Sequence, residues 1–179
     1  MTGQSVGQER DERTYRGIGP HRPDPRAASV ASQVAALIAA ARAGTVVDHV
    51  GSTAVPGLIG KNVVDLQITA GPAEVPAITS ALIELGFARQ RGPDPWPPER
   101  PMLERTFRCG GGVFLLHCHV VPDTDADASQ MIEFRDLLRR DPRAREAYAS
   151  DKGRIAALMS DSLGYTRAKA ALIHRLLGG

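Results

Sequence analysis

The run His49-Val50-Gly51-Ser52-Thr53-Ala54-Val55-Pro56-Gly57-Leu58-Ile59-Gly60-Lys61-Asn62-Val63-Val64-Asp65-Leu66-Gln67-Ile68-Thr69 carries two signals in close succession. Gly51-Ser52-Thr53 is a turn of small residues whose backbone N–H groups are not shielded by bulk, a form that can cradle phosphate oxygens. Val63 to Thr69 then alternates apolar and polar. On a strand, Val64, Leu66 and Ile68 point one way and Asp65, Gln67 and Thr69 the other. A carboxylate is thereby fixed on a rigid strand just after a phosphate-sized turn. A metal-dependent nucleotidyl transfer site requires that pairing: a seat for the triphosphate and an oxygen ligand for the cation that neutralises it.

Outward from this stretch, the 179 residues suffice for one domain with a substantial core. The hydrophobic fraction of 42% and charged fraction of 23% are those of an ordinary globular chain. A net charge of +2 makes a small molecule a better fit than nucleic acid, which stays open as the poorer one. No apolar run approaches a membrane span, and the polar start from Met1 to Arg16 has no apolar secretory core. Cys109 and Cys118 form no CxxC pair, so reduced thiols in the cytoplasm are the expectation. Of the 22 basic residues only Lys61, Lys152 and Lys169 are lysine. In so arginine-rich a chain, lysines are either chance survivors or are kept as compact point charges for phosphate.

Residues 1–17 have no apolar periodicity and read as a disordered tail ahead of a single domain over 18–179. Asp24-Pro25 looks like a helix start, and Val30, Val34, Leu37, Ile38 and Ala41 recur at helical spacing up to Gly44. Thr45 to Val50 is β-branched enough for a strand. After the Asp65 strand, Val75, Ile78, Leu82 and Leu85 mark a second helix closed by Gly86. Phe87 to Arg91 predicts a short strand. The five prolines and Trp96 of Gly92–Pro101 predict a loop of the kind that often forms a lid or rim. Met102 to Cys109 and Val113 to Val121 read as a hairpin turned by Gly110-Gly111-Gly112. Helical patterns follow over Asp127–Arg140, Pro142–Met159 and Thr166–Leu177. The whole predicts an α+β domain, a mixed sheet flanked by helices, with a helical C-terminal third.

On its strand, Asp65 must be solvated, paired with an arginine or bound to metal, and the preceding Gly-Ser turn favours metal. His117 and His119 share one face of the second hairpin strand and can bind metal, act as an acid–base pair or hydrogen-bond phosphate; they are otherwise satisfied core residues. His49 is a possible third member of that pair. Cys118, on the opposite face, reads as packing. Arg105 and Arg108 fall on opposite faces of their strand, so at most one reaches the site. Arg135 is either a phosphate ligand or half of an Asp–Arg pair on a solvated helix face, which its spacing favours. No Walker A lysine, Rossmann glycine set, nucleophile elbow or paired-cysteine zinc site is present.

The His49–Leu58 element, followed by Lys61 and Val63-Val64-Asp65, resembles the signature of the GrpB family. So do the His117-x-His119 strand ending in Val120-Val121, the helix Phe134-Arg135-Asp136-Leu137-Leu138-Arg139, Pro142 with Tyr148 and Lys152, and Tyr165-Thr166 followed by Lys169. The resemblance spans about residues 18 to 177 and places all three lysines on family positions. That family is similar to the nucleotidyltransferase superfamily, whose signature is Gly-Ser, then a strand with two Asp at alternate positions, then a later third carboxylate. The resemblance implies that Gly51, Ser52 and Thr53 hold phosphates and Asp65 ligates Mg²⁺, with Mn²⁺ as the alternative. Lys61, Gln67, Arg135, Lys152 and Lys169 would contact substrate, and His117 and His119 would ligate metal or deprotonate the acceptor. Gln67 stands where the second Asp is expected, which removes a charge from the metal site. Glu104, across the hairpin, is a further candidate ligand. Asn62 departs from the proline that usually follows the family lysine.

The resulting expectation is transfer of a nucleotidyl group from an NTP to an unknown small acceptor. A non-catalytic module that kept the nucleotide pocket is the alternative, and a transition-metal site built on His49, His117 and His119 a weaker one. The sequence does not indicate the nucleotide, the acceptor or the oligomeric state.

Overall fold

The alternation read from Val63 to Thr69 sets the two faces of the sheet around which the chain is built. A computed structural model describes residues 21–90, 96–158 and 162–178, without the side chains of 156, 162, 163, 165 and 166. The expected tail, Arg91 at the end of the expected short strand, the start of the proline-rich loop at 92–95, the helix end at Met159 and the Tyr165-Thr166 side chains lie outside the described residues.

The strands are β1 (Asp48–Val50), β2 (Val64–Ala70), β3 (Ala88–Arg89), β4 (Met102–Cys109) and β5 (Gly112–Pro122), in sheet order β1-β2-β5-β4-β3. The helices are α1 (Ala27–Ala41), α2 (Val75–Glu84), α3 (Gln130–Arg140), α4 (Pro142–Leu158) and α5 (Ser162–Leu176). β2 and β5 run parallel and the other pairs antiparallel, so the sheet is mixed, as expected. No helix among the described residues is long and apolar enough to cross a membrane.

Val64, Leu66 and Ile68 of β2, Leu103 of β4, and Phe114, Leu116, Cys118 and Val120 of β5 share one buried face. The apolar stripe of α1 (Val30, Val34, Ile38) and that of α2 (Val75, Ile78, Leu82) cover it. Each fully buried Val, Leu or Ile contributes roughly 1.5–3 kcal/mol, which holds β2 in a register where Asp65 cannot turn inward. Cys118 is packing, as its spacing implied, and burial pushes its thiol up to about 12. A second core joins Val55 and Leu58, just after the Gly-Ser turn, to Phe134, Leu138, Tyr148 and Leu172 of the last three helices. The helical C-terminal third thus packs on the turn, on the side of the sheet that carries Asp65.

Several boundaries differ from the sequence reading. α1 begins at Ala27 rather than at Pro25, with Arg26 as its N-cap, while the Asp24 carboxylate accepts the Arg26 N–H at 2.9 Å in a turn that precedes the helix. β1 is only Asp48–Val50, because β2 pairs with just those three residues; Val46 is 71% exposed. α3 starts at Gln130 because residues 122–129 form turns that are used elsewhere.

Candidate functional site

On the face away from α1 and α2, the register sets Asp65 opposite His117 and Gln67 opposite His119, and Glu104 opposite His117 on the other side. His117 Nδ1 lies 3.6 Å from Asp65 Oδ1, with side-chain exposures of 26% and 18%, so both still meet solvent. Burial acts to raise the Asp65 carboxyl. Hydrogen bonding and charge from His117, with Lys169 and His119 behind it, outweigh that and hold it below the usual carboxylate range.

The Gly-Ser turn closes on this carboxylate. Gly51 has φ 72°, and a Cβ there would sit 2.3 Å from Asp65 Oδ2, so both backbone and space require glycine. Ser52–Ala54 is one 3-10 turn whose first N–H groups find no carbonyl inside it. Gly60 leaves room for Ser52 by space alone: a Cβ there would lie 2.3 Å from Ser52 Oγ and 3.3 Å from Lys152 Nζ. Lys152, 7% exposed, reaches in from α4 across the Tyr148 ring at 5.6 Å and donates to Ile59 O at 3.0 Å.

All three lysines gather here. Burial, then the charge of Lys169 and Lys61, drives Lys152 down to about 7, with Asp65 opposing. Burial and Lys169 lower Lys61, again against Asp65. Every pair among Asp65, Lys61, Lys152 and Lys169 therefore interacts electrostatically.

His119 stands two residues along β5, its ring edge-on to Trp96 at 5.2 Å and 74°. Burial pushes it down to about 4, leaving it neutral at pH 7. Arg100 lies over the Trp96 ring at 5.8 Å and pairs with Asp125 at 3.0 Å, so the described end of the proline-rich loop forms a wall beside His119.

Other expected members are committed elsewhere. Gln67 is 1% exposed and its amide donates to Ala128 O at 2.6 Å and Thr69 Oγ1 at 3.0 Å. It ties down the 122–129 turns rather than facing substrate. The Arg135 guanidinium bonds Asp136 twice, Asp48 Oδ1 at 2.9 Å and His49 O at 3.1 Å, so it braces α3 to β1 in place of binding phosphate. Thr53 contributes only backbone to the turn, since its hydroxyl donates to Val63 O at 3.0 Å. With that proton spent, the 3.0 Å contact to His49 has Nε2–H as donor, and burial, which pushes His49 down to about 4, keeps the ring neutral. His49 also pairs with Leu66 in the register, on the face opposite Asp65, and so is no third partner for His117 and His119. Asn62 has φ 58°, which proline cannot adopt, and its side chain binds Asp24 N and Arg22 O. Gly60, Tyr148, Ala128 and Asp48 shape the site without having been singled out for it. Ala128 and Asp48 meet partners 61 and 87 residues away, which no spacing rule marks, whereas Tyr148 lies one helical turn before Lys152, a pair already present in the family pattern.

Among the described residues no group of three or more His, Cys, Asp or Glu is arranged to hold a metal ion. Asp65 does suit a cation that arrives on a nucleotide, because Mg²⁺ is commonly held by one or two carboxylates plus substrate phosphates.

A family model described as GrpB protein matches residues 21–178. The chain belongs to the GrpB family. The UPF0157 protein PA4798 of Pseudomonas aeruginosa is 34% identical over 142 residues, 75% of this chain and 55% of that protein. The GrpB chain here spans little more than half the length of that relative. The crystal structure of conserved protein GrpB from Enterococcus faecalis superposes with a TM-score of 0.61 at 18% identity, covering 87% of this chain and 98% of that one. A mutant Cid1 poly(U) polymerase bound to MgATP superposes at a TM-score of 0.50 and 11% identity, covering 72% of this chain and 42% of that one. At these identities the structural likenesses speak for the fold, which is nucleotidyltransferase-like.

Proposed function

We propose that the Asp65 face binds a nucleoside triphosphate as its Mg²⁺ or Mn²⁺ complex and transfers the nucleotidyl group to a small acceptor. The supporting observation is the convergence of all three lysines and the Gly51-Ser52 turn on one partly exposed carboxylate. In this reading the turn N–H groups and the lysines take the phosphate oxygens, and Asp65 takes the cation the nucleotide brings. His117, held by Asp65, accepts the acceptor's proton. The acceptor oxygen bonds to the α-phosphorus, the α–β bridging bond breaks, and pyrophosphate leaves with its charge spread over the lysines. A substrate of this class fits a cytoplasmic protein, and the modest net charge favours a small acceptor over nucleic acid.

A second reading, binding without turnover, is favoured by Gln67, whose amide is spent on Ala128 O where a second catalytic carboxylate is expected. Calorimetry with the four Mg-NTPs on wild type and Asp65→Ala tests the site. Binding by wild type and at least tenfold weaker binding by the variant is expected, and equal binding removes Asp65 from the cation. Pyrophosphate release with fractionated metabolites separates the readings: release identifies a transferase, while tight binding without release identifies a module.

A further inference from the structure

The face that carries Asp65 is short of carboxylate for a second divalent cation: beyond Asp65 the register puts there Glu104, on the far side of His117, and Asp48, which is paired with Arg135. Gln67, the position that would supply the next carboxylate, is 1% exposed, and its nitrogen points at two acceptors. With its amide hydrogens directed at Ala128 O and Thr69 Oγ1, Gln67 brings no negative charge to a cation, and a carboxylate in its place could not donate at all. His49 points to the other side of the sheet, and no three-ligand group exists among the described residues. What the site has in abundance is lysine. Lys152 Nζ and Ser52 Oγ both border the space over Gly60, Lys61 is the next residue in the chain, and Lys169 acts on both lysines and on Asp65.

We propose that lysine charge replaces the second cation of a nucleotidyl-transfer site: Lys61, Lys152 and Lys169 hold the polyphosphate directly, and at most one divalent cation enters with it, on Asp65. This rests on the reading of the site as a nucleotide site and goes beyond it by assigning the number of cations. The charges agree with it. The three lysines and Asp65 together carry a net +2 when all are ionised. A nucleoside triphosphate of about −4 that carries one Mg²⁺ brings about −2, so the assembly closes near neutrality, whereas a second Mg²⁺ would leave it strongly positive. Burial and mutual repulsion strain the lysines in the absence of an anion, and a polyphosphate relieves that strain.

The inference separates from a metal-built site by the sign of one substitution. If lysines hold the phosphates, Asp65 repels them when no metal is present. Calorimetry with inorganic tripolyphosphate in EDTA should then show binding to wild type within about tenfold of its strength in Mg²⁺, tightened about tenfold by Asp65→Asn and weakened at least tenfold by Lys169→Ala. Electron paramagnetic resonance of the ATP complex titrated with Mn²⁺ should count one bound ion. Binding that disappears in EDTA but persists in Mg²⁺, weaker metal-free binding by Asp65→Asn, or two Mn²⁺ per complex would each overturn the inference and leave the nucleotide reading standing. Absence of tripolyphosphate and ATP binding in both conditions would overturn the two together.

Discussion

At the scale of the residue, Gln67 decides how far the resemblance to a transferase extends. Its position on the polar face of β2 was legible from alternation, and so was the missing charge. Its task was not, because its partner, Ala128 O, lies 61 residues away on a turn that no local pattern ties to β2. The amide is required as a donor. Gln67→Glu places a carboxylate against a carbonyl in a 1% exposed position, so it costs about 2–3 kcal/mol at pH 7. Part of that loss returns near pH 5, where a raised Glu carboxyl holds a proton and donates again. Urea unfolding at the two pH values checks both. A variant as stable as wild type and with tighter Mn²⁺ binding would mean that position 67 opens toward metal. Asp65, Gly51 and the lysines were legible by contrast, since a carboxylate on an alternating strand and three lysines among 22 basic residues both stand out from their background.

At the scale of the element, periodicity located the hairpin and every helix to within a few residues, because burial of one stripe or one face dictates that spacing. β1 and the start of α3 were misjudged because strand pairing limits the first and the turns over 122–129 limit the second. The same holds for the attachment of α3. Spacing favoured a solvated Asp–Arg pair at Arg135, and the pair with Asp136 is there, but the guanidinium also reaches Asp48 and His49 O on β1. Its side chain is 12% exposed while Asp48 and Asp136 are 31% and 43% exposed, so solvent screens part of the attraction. Arg139 adds a bond from Nε to Ala54 O at 2.9 Å, fixing α3 to the Gly-Ser turn as well. Arg135→Ala is expected to cost about 1–3 kcal/mol and to loosen α3 before the sheet, since Val64, Leu66 and Ile68 belong to the other core. Hydrogen exchange resolved by peptide should show faster exchange across Gln130–Arg140 with β2 unchanged. Uniform acceleration over the sheet would contradict the two-core arrangement.

At the scale of the whole molecule, burying lysines to build an anion site lowers stability in a way that pH reveals. Lys152 sits at about 7 in the fold against an ordinary 10.5, and Lys61 is shifted the same way. Between those values the unfolded chain binds more protons than the folded one, so stability rises with pH through the window and the penalty is complete below it. His49 and His119 are neutral in the fold throughout but still about a quarter protonated in the unfolded chain at pH 7, so together they add only about 0.3 kcal/mol to the rise. Cys118, pushed up to about 12 from 9.0, acts in the opposite sense once the unfolded thiol begins to ionise near pH 9, as does Tyr148 at higher pH. The clean interval is therefore pH 7 to 8.5. Lys152 alone should raise unfolding stability across it by about 1.5 kcal/mol, a little over one proton-unit of linkage at 1.36 kcal/mol. Lys152→Met loses the bond to Ile59 O at every pH but also loses most of this slope, leaving only what Lys61 and the two histidines contribute. Urea unfolding at pH 7.0 and 8.5 should therefore show wild type gaining stability and the variant nearly level. The same wild-type gain should largely vanish in saturating tripolyphosphate, because a bound polyanion raises Lys152 and keeps it charged across the interval. A wild-type slope unaffected by the variant would mean that Lys152 is not the buried charge that sets the cost of this site.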